Sequence, residues 1–269
     1  AACEKCLDAA CTPLQAANEV EEVQADAQEL QSDKCDEKAA YQAWGDGTEN
    51  ECTVWYNRGR GRAESVRLAL AEAGIPYINQ FAPEDRYGRT QFYSYCRALA
   101  GNCTTNVPMM TFHGTHYTQT NAILRKIGRV SNLYLTDHED QIDYLIECAT
   151  DLREAAIRLA FSGWGPQGPG DPRVVQDFID SVLPPHLQNF ERLIAGKTFL
   201  CHEFTIADVI VYDALSNFAA KLIPTALLFF PTLHAFVQRV EARPRIKKWL
   251  SSKESLEIPF LAPKADSRC

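Results

Sequence analysis

The chain has 269 residues, 46% hydrophobic and 23% charged, enough to bury the cores of two modest domains. Its net charge of −8 resides in the first 52 residues, which hold thirteen Asp or Glu against three Lys and leave the remainder near +2. No basic stripe exists to favour a nucleic-acid partner. The densest apolar run, Ala226 to Phe230, ends at Pro231, far short of a membrane span.

Residues 1–52 form an acidic extension containing five of the ten cysteines: Cys3, Cys6, Cys11, Cys35 and Cys52. Thr12-Pro13-Leu14-Gln15 joins a capping threonine to a proline at the first helical position. Val20, Val23, Ala27 and Leu30 follow at helical spacing, so an amphipathic helix is expected over about 13–38. Cys3-x2-Cys6 has no second close couple, which favours disulfides or free thiols over a metal site. The start at Ala1 reads as processed, favouring an organelle such as the mitochondrion over the cytoplasm. Residues 41–51 read as a linker.

Thr53 to Tyr56 are β-branched or aromatic, as a buried strand prefers. Gly59 and Gly61 permit a tight turn, and the apolar positions 63, 66, 70 and 73 predict a helix closed by Gly74 and Pro76. This places the Tyr56 phenol at a strand end beside a helix N-terminus, with three arginines near it. A second strand is expected at 77–81 and a helix around 90–99. Val107 to His113 reads as a strand, Gly114-Thr115 as a hairpin turn, 116–118 as its return, and 121–129 as a helix. A parallel strand pair plus a hairpin, with interleaved helices, predicts an α/β thioredoxin-like domain over 53–131.

Two segments of this domain carry chemistry. Val107-Pro108 opens a strand where proline removes a donor, either as a cis bond or as a plain edge proline. Gln119-Thr120-Asn121 opens a helix whose unpaired N–H groups suit a carboxylate, unless Thr120 merely caps it.

Residues 136–250 predict an all-α domain. Thr136 to Glu139 reads as a capping box before a helix reaching about Phe161, and 163–172 reads as a loop. Asp171-Pro172 starts a helix that Pro184-Pro185 must kink. Thr205 to Asp208 is a second capping box, opening an apolar helix to about Leu222. Residues 251–269 read as a C-terminal tail.

Tyr56 followed by Arg60-Gly61-Arg62-Ala63-Glu64, with Val107-Pro108 and Gln119-Thr120 in order behind it, resembles the glutathione transferases. The likeness is greatest to the sigma class, which includes haematopoietic prostaglandin D synthase. It covers about residues 53–250, including the box at 205–208 and Glu241 to Pro244; the acidic extension has no counterpart. The resemblance implies an all-α glutathione-transferase C-terminal domain and glutathione as co-substrate. Tyr56 would activate the glutathione thiol, helped by Arg62. Val107 and Pro108 would pair with the cysteinyl backbone, and Gln119 and Thr120 would hold the γ-glutamyl end. Asp151 matches the acid that reaches the glutathione amino group across a homodimer interface.

Some residues depart from the sigma pattern. Phe92, Tyr95 and Arg97 stand where that class has Trp then Lys, and Thr105-Asn106 replaces the residues before the Val-Pro. Arg97 and Asn106 are therefore the candidates for the glycyl carboxylate. Thr150 replaces an acid that could share a metal, so no metal is expected. Two readings follow. One is an enzyme in which the thiolate attacks a small electrophile or isomerises an endoperoxide. The other is a non-catalytic subunit of a larger assembly, contacted through residues 1–52.

Overall fold

The structure is a computed structural model describing Trp44 and residues 52–101, 107–165 and 168–262. The amphipathic helix expected at 13–38, the cysteines before Cys52 and Asn106 lie outside the described residues.

A four-stranded sheet of order β2-β1-β3-β4 forms the first layer. Strand β1 (Cys52–Tyr56) pairs parallel with β2 (Ile78–Phe81) and antiparallel with β3 (Met109–Phe112), which pairs with β4 (Thr115–Thr118). Period-two alternation sorts the side chains of β1. Val54 and Tyr56 join the main core under helices α1 (Glu64–Ala73) and α3 (Thr120–Ser131). Trp55 lies within ring contact of Phe92 and Tyr95 of helix α2 (Arg86–Ala100), its indole N–H donating to Thr111 Oγ1 at 2.9 Å. The expected thioredoxin-like layer is thus present. Helix α2 starts earlier than the sequence indicated because Asp85 caps it, accepting from the Gly88 N–H at 2.7 Å.

The hairpin differs from expectation by one residue. Phe112 pairs with Thr115, so the turn is His113-Gly114, both at positive φ (46° and 76°). Two left-handed residues match the twist of a tight hairpin. Trp44, expected in a linker, has its ring centroid 5.5 Å from those of both Phe92 and Tyr95. It adds a third aromatic side to the cluster that Phe92 and Tyr95 of α2 form with Trp55 of the sheet.

The second layer is helical. Helix α4 (Glu139–Phe161) is preceded by a 3₁₀ turn at Thr136–His138 and carries no side-chain cap, which corrects the expected capping box there. The His138 N–H bonds the Leu135 carbonyl at 3.0 Å, so the turn uses backbone where the box would use side chains. The expected loop at 163–172 contains a short ladder, β5 (Trp164–Gly165) with β6 (Gly168–Pro169). Helix α5 (Pro172–Asp177) is capped by Asp171 and runs through a π-helical stretch at Phe178–Val182 into α6 (Leu183–Ile194). The wider turns precede Pro184-Pro185, where proline nitrogens cannot donate.

Helix α7 (Ile206–Asp213) is buried throughout and passes through a second π stretch, Ala214–Ala219, into α8 (Ala220–Leu222). Its capping box is complete: Asp208 accepts from the Thr205 N–H at 2.8 Å and from the Leu200 N–H at 2.9 Å. Helices α9 (Pro231–Glu241), α10 (Pro244–Leu250) and α11 (Lys253–Glu257) complete the domain. Helix α1 is the seam between the layers, touching α3, α7 and α10. Its buried Glu64 accepts from Trp249 Nε1 at 2.9 Å and pairs with fully buried Arg67 at 3.1 Å.

Candidate functional site

Strand register brings the candidates together. Trp55 pairs with Met109, and Met109 with Thr118. Tyr56, Pro108 and Gln119 are the next residue along each of these strands, so all three fall at the end of the sheet where β1 finishes. The Val107–Pro108 bond is cis, one of the two states the sequence left open, and Pro108 is buried.

Gln119 occupies the N-cap position of α3 in a strained conformation, φ 70° and ψ 112°, and Thr120 is the first helical residue. A non-glycine residue held at positive φ costs energy that the surrounding structure must supply, and such residues concentrate at binding sites. Thr120 therefore does not cap its helix. Its buried hydroxyl lies 3.5 Å from the Arg62 carbonyl, tying the start of α3 to the turn after β1.

That turn controls Tyr56. Gly61 opens a 3₁₀ turn (Gly61–Ala63) at φ 39°, and a Cβ there would sit 2.6 Å from the Tyr56 hydroxyl. The absent side chain lets the backbone close over the phenol, and the Arg62 N–H donates to the Tyr56 oxygen at 3.0 Å. Tyr56 is only 9% exposed. Burial raises its pKa, outweighing the Arg62 N–H and the charges of Arg62 and Arg67, which pull it down. Tyr56 is therefore a phenol at neutral pH. A hydroxyl that accepts one hydrogen bond and keeps its proton is a polarised donor.

The Arg62 guanidinium makes a two-pronged pair with Glu154 of α4, Nε to Oε1 at 2.9 Å and Nη2 to Oε2 at 2.5 Å. Burial pushes the Glu154 carboxyl up, but the Arg62 hydrogen bonds and charge, with Arg153 and Arg158, hold it below its usual value. The positive field expected from Arg62 is thus largely balanced by this carboxylate, and the backbone of Arg62 is what touches Tyr56. Glu154 could not be picked from sequence, because it meets Arg62 across 92 residues.

The remaining candidates are more dispersed. Asp151 is exposed on α4, and no hydrogen bond or ion pair among the described residues holds its carboxylate. Arg97, in the last turn of α2, donates to Ser94 Oγ at 3.0 Å. Tyr93, one residue past the buried Phe92, donates to Asn57 Oδ1 at 2.7 Å and so links α2 to the residue after Tyr56.

Comparison with known proteins agrees with this architecture. Residues 50–129 match the glutathione S-transferase N-terminal domain model and residues 151–253 the glutathione S-transferase C-terminal domain model. Glutathione S-transferase alpha I of Oryctolagus cuniculus is 30% identical over 211 residues, covering 76% of this chain and 90% of the relative. Glutathione S-transferase P of Homo sapiens is 29% identical over 215 residues, covering 77% and 95%. Glutathione S-transferase of Dirofilaria immitis is 28% identical over 209 residues, covering 74% and 92%. With both domain models matched in order on a thioredoxin-like sheet followed by helices, the chain belongs to the glutathione S-transferase family.

Proposed function

We propose that the protein is an active glutathione transferase in which the Tyr56 hydroxyl donates a hydrogen bond to the glutathione sulfur and holds it as the thiolate. The observation that carries this reading is the 3.0 Å hydrogen bond from the Arg62 N–H to the Tyr56 oxygen, at the head of the row shared with Pro108 and Gln119. A thiol is mostly protonated at neutral pH, and only the anion is a strong nucleophile. A phenol that keeps its own proton suits this task better than a phenolate, since it can donate to the sulfur anion.

In the proposed reaction the thiol proton leaves to solvent and the sulfur pair attacks an electrophilic carbon. A carbon–sulfur bond forms and the leaving group departs with its electron pair. Gln119 and Thr120 would seat the γ-glutamyl carboxylate at the start of α3, where unpaired N–H groups favour an anion. Asp151 would reach the glutathione amino group of a partner subunit, in keeping with a carboxylate that is exposed and has no ion pair among the described residues. Sigma-class character and endoperoxide isomerisation are the narrower form of the proposal; two of the relatives above carry the labels P and alpha. Product analysis with a prostaglandin endoperoxide tests that form.

Retention on glutathione resin with turnover of a chloronitroaromatic tests the general reading. Both are expected. Failure of both, with the chain recovered in a large complex, would replace the enzyme with a non-catalytic scaffold.

A further inference from the structure

Three consecutive backbone amides follow Gly59, and their partners differ. The Arg60 N–H donates to the Pro259 carbonyl at 2.8 Å and the Gly61 N–H to the Phe260 carbonyl at 3.3 Å. The third, from Arg62, goes to the Tyr56 hydroxyl at 3.0 Å. The direction of the third is set by the φ and ψ of Gly61, and the Phe260 carbonyl holds the peptide plane from which those angles, with φ at 39°, turn the Arg62 N–H onto the phenol.

The segment that fixes them is itself held firmly. Arg60 Nη2 donates to the Ser255 carbonyl at 3.0 Å, and Nε to the Ile258 carbonyl at 3.4 Å. Arg60 Nη1 reaches Asn217 Oδ1 at 3.4 Å, and Asn217 in turn donates to buried Asp213 at 2.6 Å. Ile258 and Phe260 are buried, with the Phe260 ring 5.7 Å from that of Phe218. A Cβ at Gly59 would lie 2.5 Å from the Ala262 backbone nitrogen, so the segment passes too close for any side chain there.

We propose that Arg60 and the segment Ser255–Ala262 which it grips are positioning elements for the Tyr56 hydroxyl, acting through the Gly61–Arg62 backbone. The catalytic part of this inference rests on the thiolate reading above; the structural part does not. The sequence presents 251–269 as a plain tail, whereas residues 255–262 supply the turn's hydrogen-bond acceptors. Neither Arg60 nor the segment touches the reacting sulfur. Their effect is to aim the amide that polarises the phenol.

Gly59→Ala in the full chain displaces the segment without deleting any polar group. Two readouts are taken: amide hydrogen exchange at residues 60–62, and the pH profile of kcat/KM for a chloronitroaromatic at saturating glutathione, which reports the thiol of the enzyme–glutathione complex. Val240→Ala, in the core side of α9, serves as a control for general destabilisation. In Gly59→Ala, exchange at Arg60, Gly61 and Arg62 should quicken at least about tenfold. The acid limb of the profile should move up by about one pH unit, with KM for glutathione changed less than about threefold. Val240→Ala should move neither.

Unchanged protection of the Arg62 amide would overturn the proposal. So would an unmoved profile, or equal movement in Val240→Ala. If the wild type neither binds glutathione nor turns over, the thiolate reading fails separately, and exchange at Arg62 alone decides whether the segment aims that amide.

Discussion

Replacing Asp208 with alanine tests how the helical domain is assembled. Asp208 is fully buried and accepts three hydrogen bonds, from the N–H groups of Leu200 (2.9 Å) and Thr205 (2.8 Å) and from the Thr205 hydroxyl (3.1 Å). The substitution leaves two buried backbone donors without partners, at about 1–3 kcal/mol each. It also leaves the buried Thr205 hydroxyl without the acceptor it has in the wild type. Against this, burial raises the Asp208 carboxyl to about 6 despite those hydrogen bonds, so its charged form is already disfavoured. The net loss at neutral pH should be about 3 kcal/mol, or about 6–12 °C in Tm for a domain of this size.

The pH dependence has a definite sign. Because the folded carboxyl titrates above its unfolded value, its favourable contribution is complete below the unfolded pKa. It is lost as pH rises through about 6. The gap between wild type and variant should therefore widen by about 1 kcal/mol from neutral pH down to pH ~5. Urea unfolding at the two pH values measures both quantities. A loss below about 1 kcal/mol, or a gap that narrows on acidification, would refute the reasoning.

Other perturbations probe the thioredoxin-like domain. Trp44→Ala removes a half-buried ring from Phe92 and Tyr95 and should cost about 2 kcal/mol in urea unfolding, with turnover little changed. Gly61→Ala forces a Cβ to within 2.6 Å of the Tyr56 oxygen at φ 39° and should cut kcat/KM at least about tenfold. Glu154→Gln keeps the shape of the Arg62 partner but removes its charge. The thiol pKa of bound glutathione should then fall by less than about half a unit, since Arg62 is partly exposed and screened. A rise instead would make Glu154 chiefly an anchor for Arg62.

Local patterns were readable in the sequence wherever one segment settled its own hydrogen bonds. The β1–turn–α1 unit follows from Thr53 to Tyr56, Gly61 and the spacing of the apolar residues, and the Thr205–Asp208 box is present as read. The identical-looking pattern at Thr136 to Glu139 misled because a 3₁₀ turn met the same backbone needs without side chains. The π stretches at 178–182 and 214–219 carry no distinct residue pattern, although the helix opened at Thr205 does reach Leu222 through the second of them.

Within the candidate site, the positions of Tyr56, Pro108, Gln119 and Thr120 were legible because each lies at an element boundary marked by glycine, proline or a polar turn. Their alignment in one row was not, since it depends on two strand registers. The Arg62–Glu154 pair and the Arg60 contacts join residues 92 and about 200 apart in the chain. No local pattern marks such partners.

The most direct test of the central claim is ultraviolet titration of the thiolate of bound glutathione in wild type and Tyr56→Phe. Wild type should hold the anion at neutral pH. In Tyr56→Phe the thiol pKa should rise by about 1–2 units, with glutathione affinity nearly unchanged. An identical thiol pKa in the two proteins would contradict it.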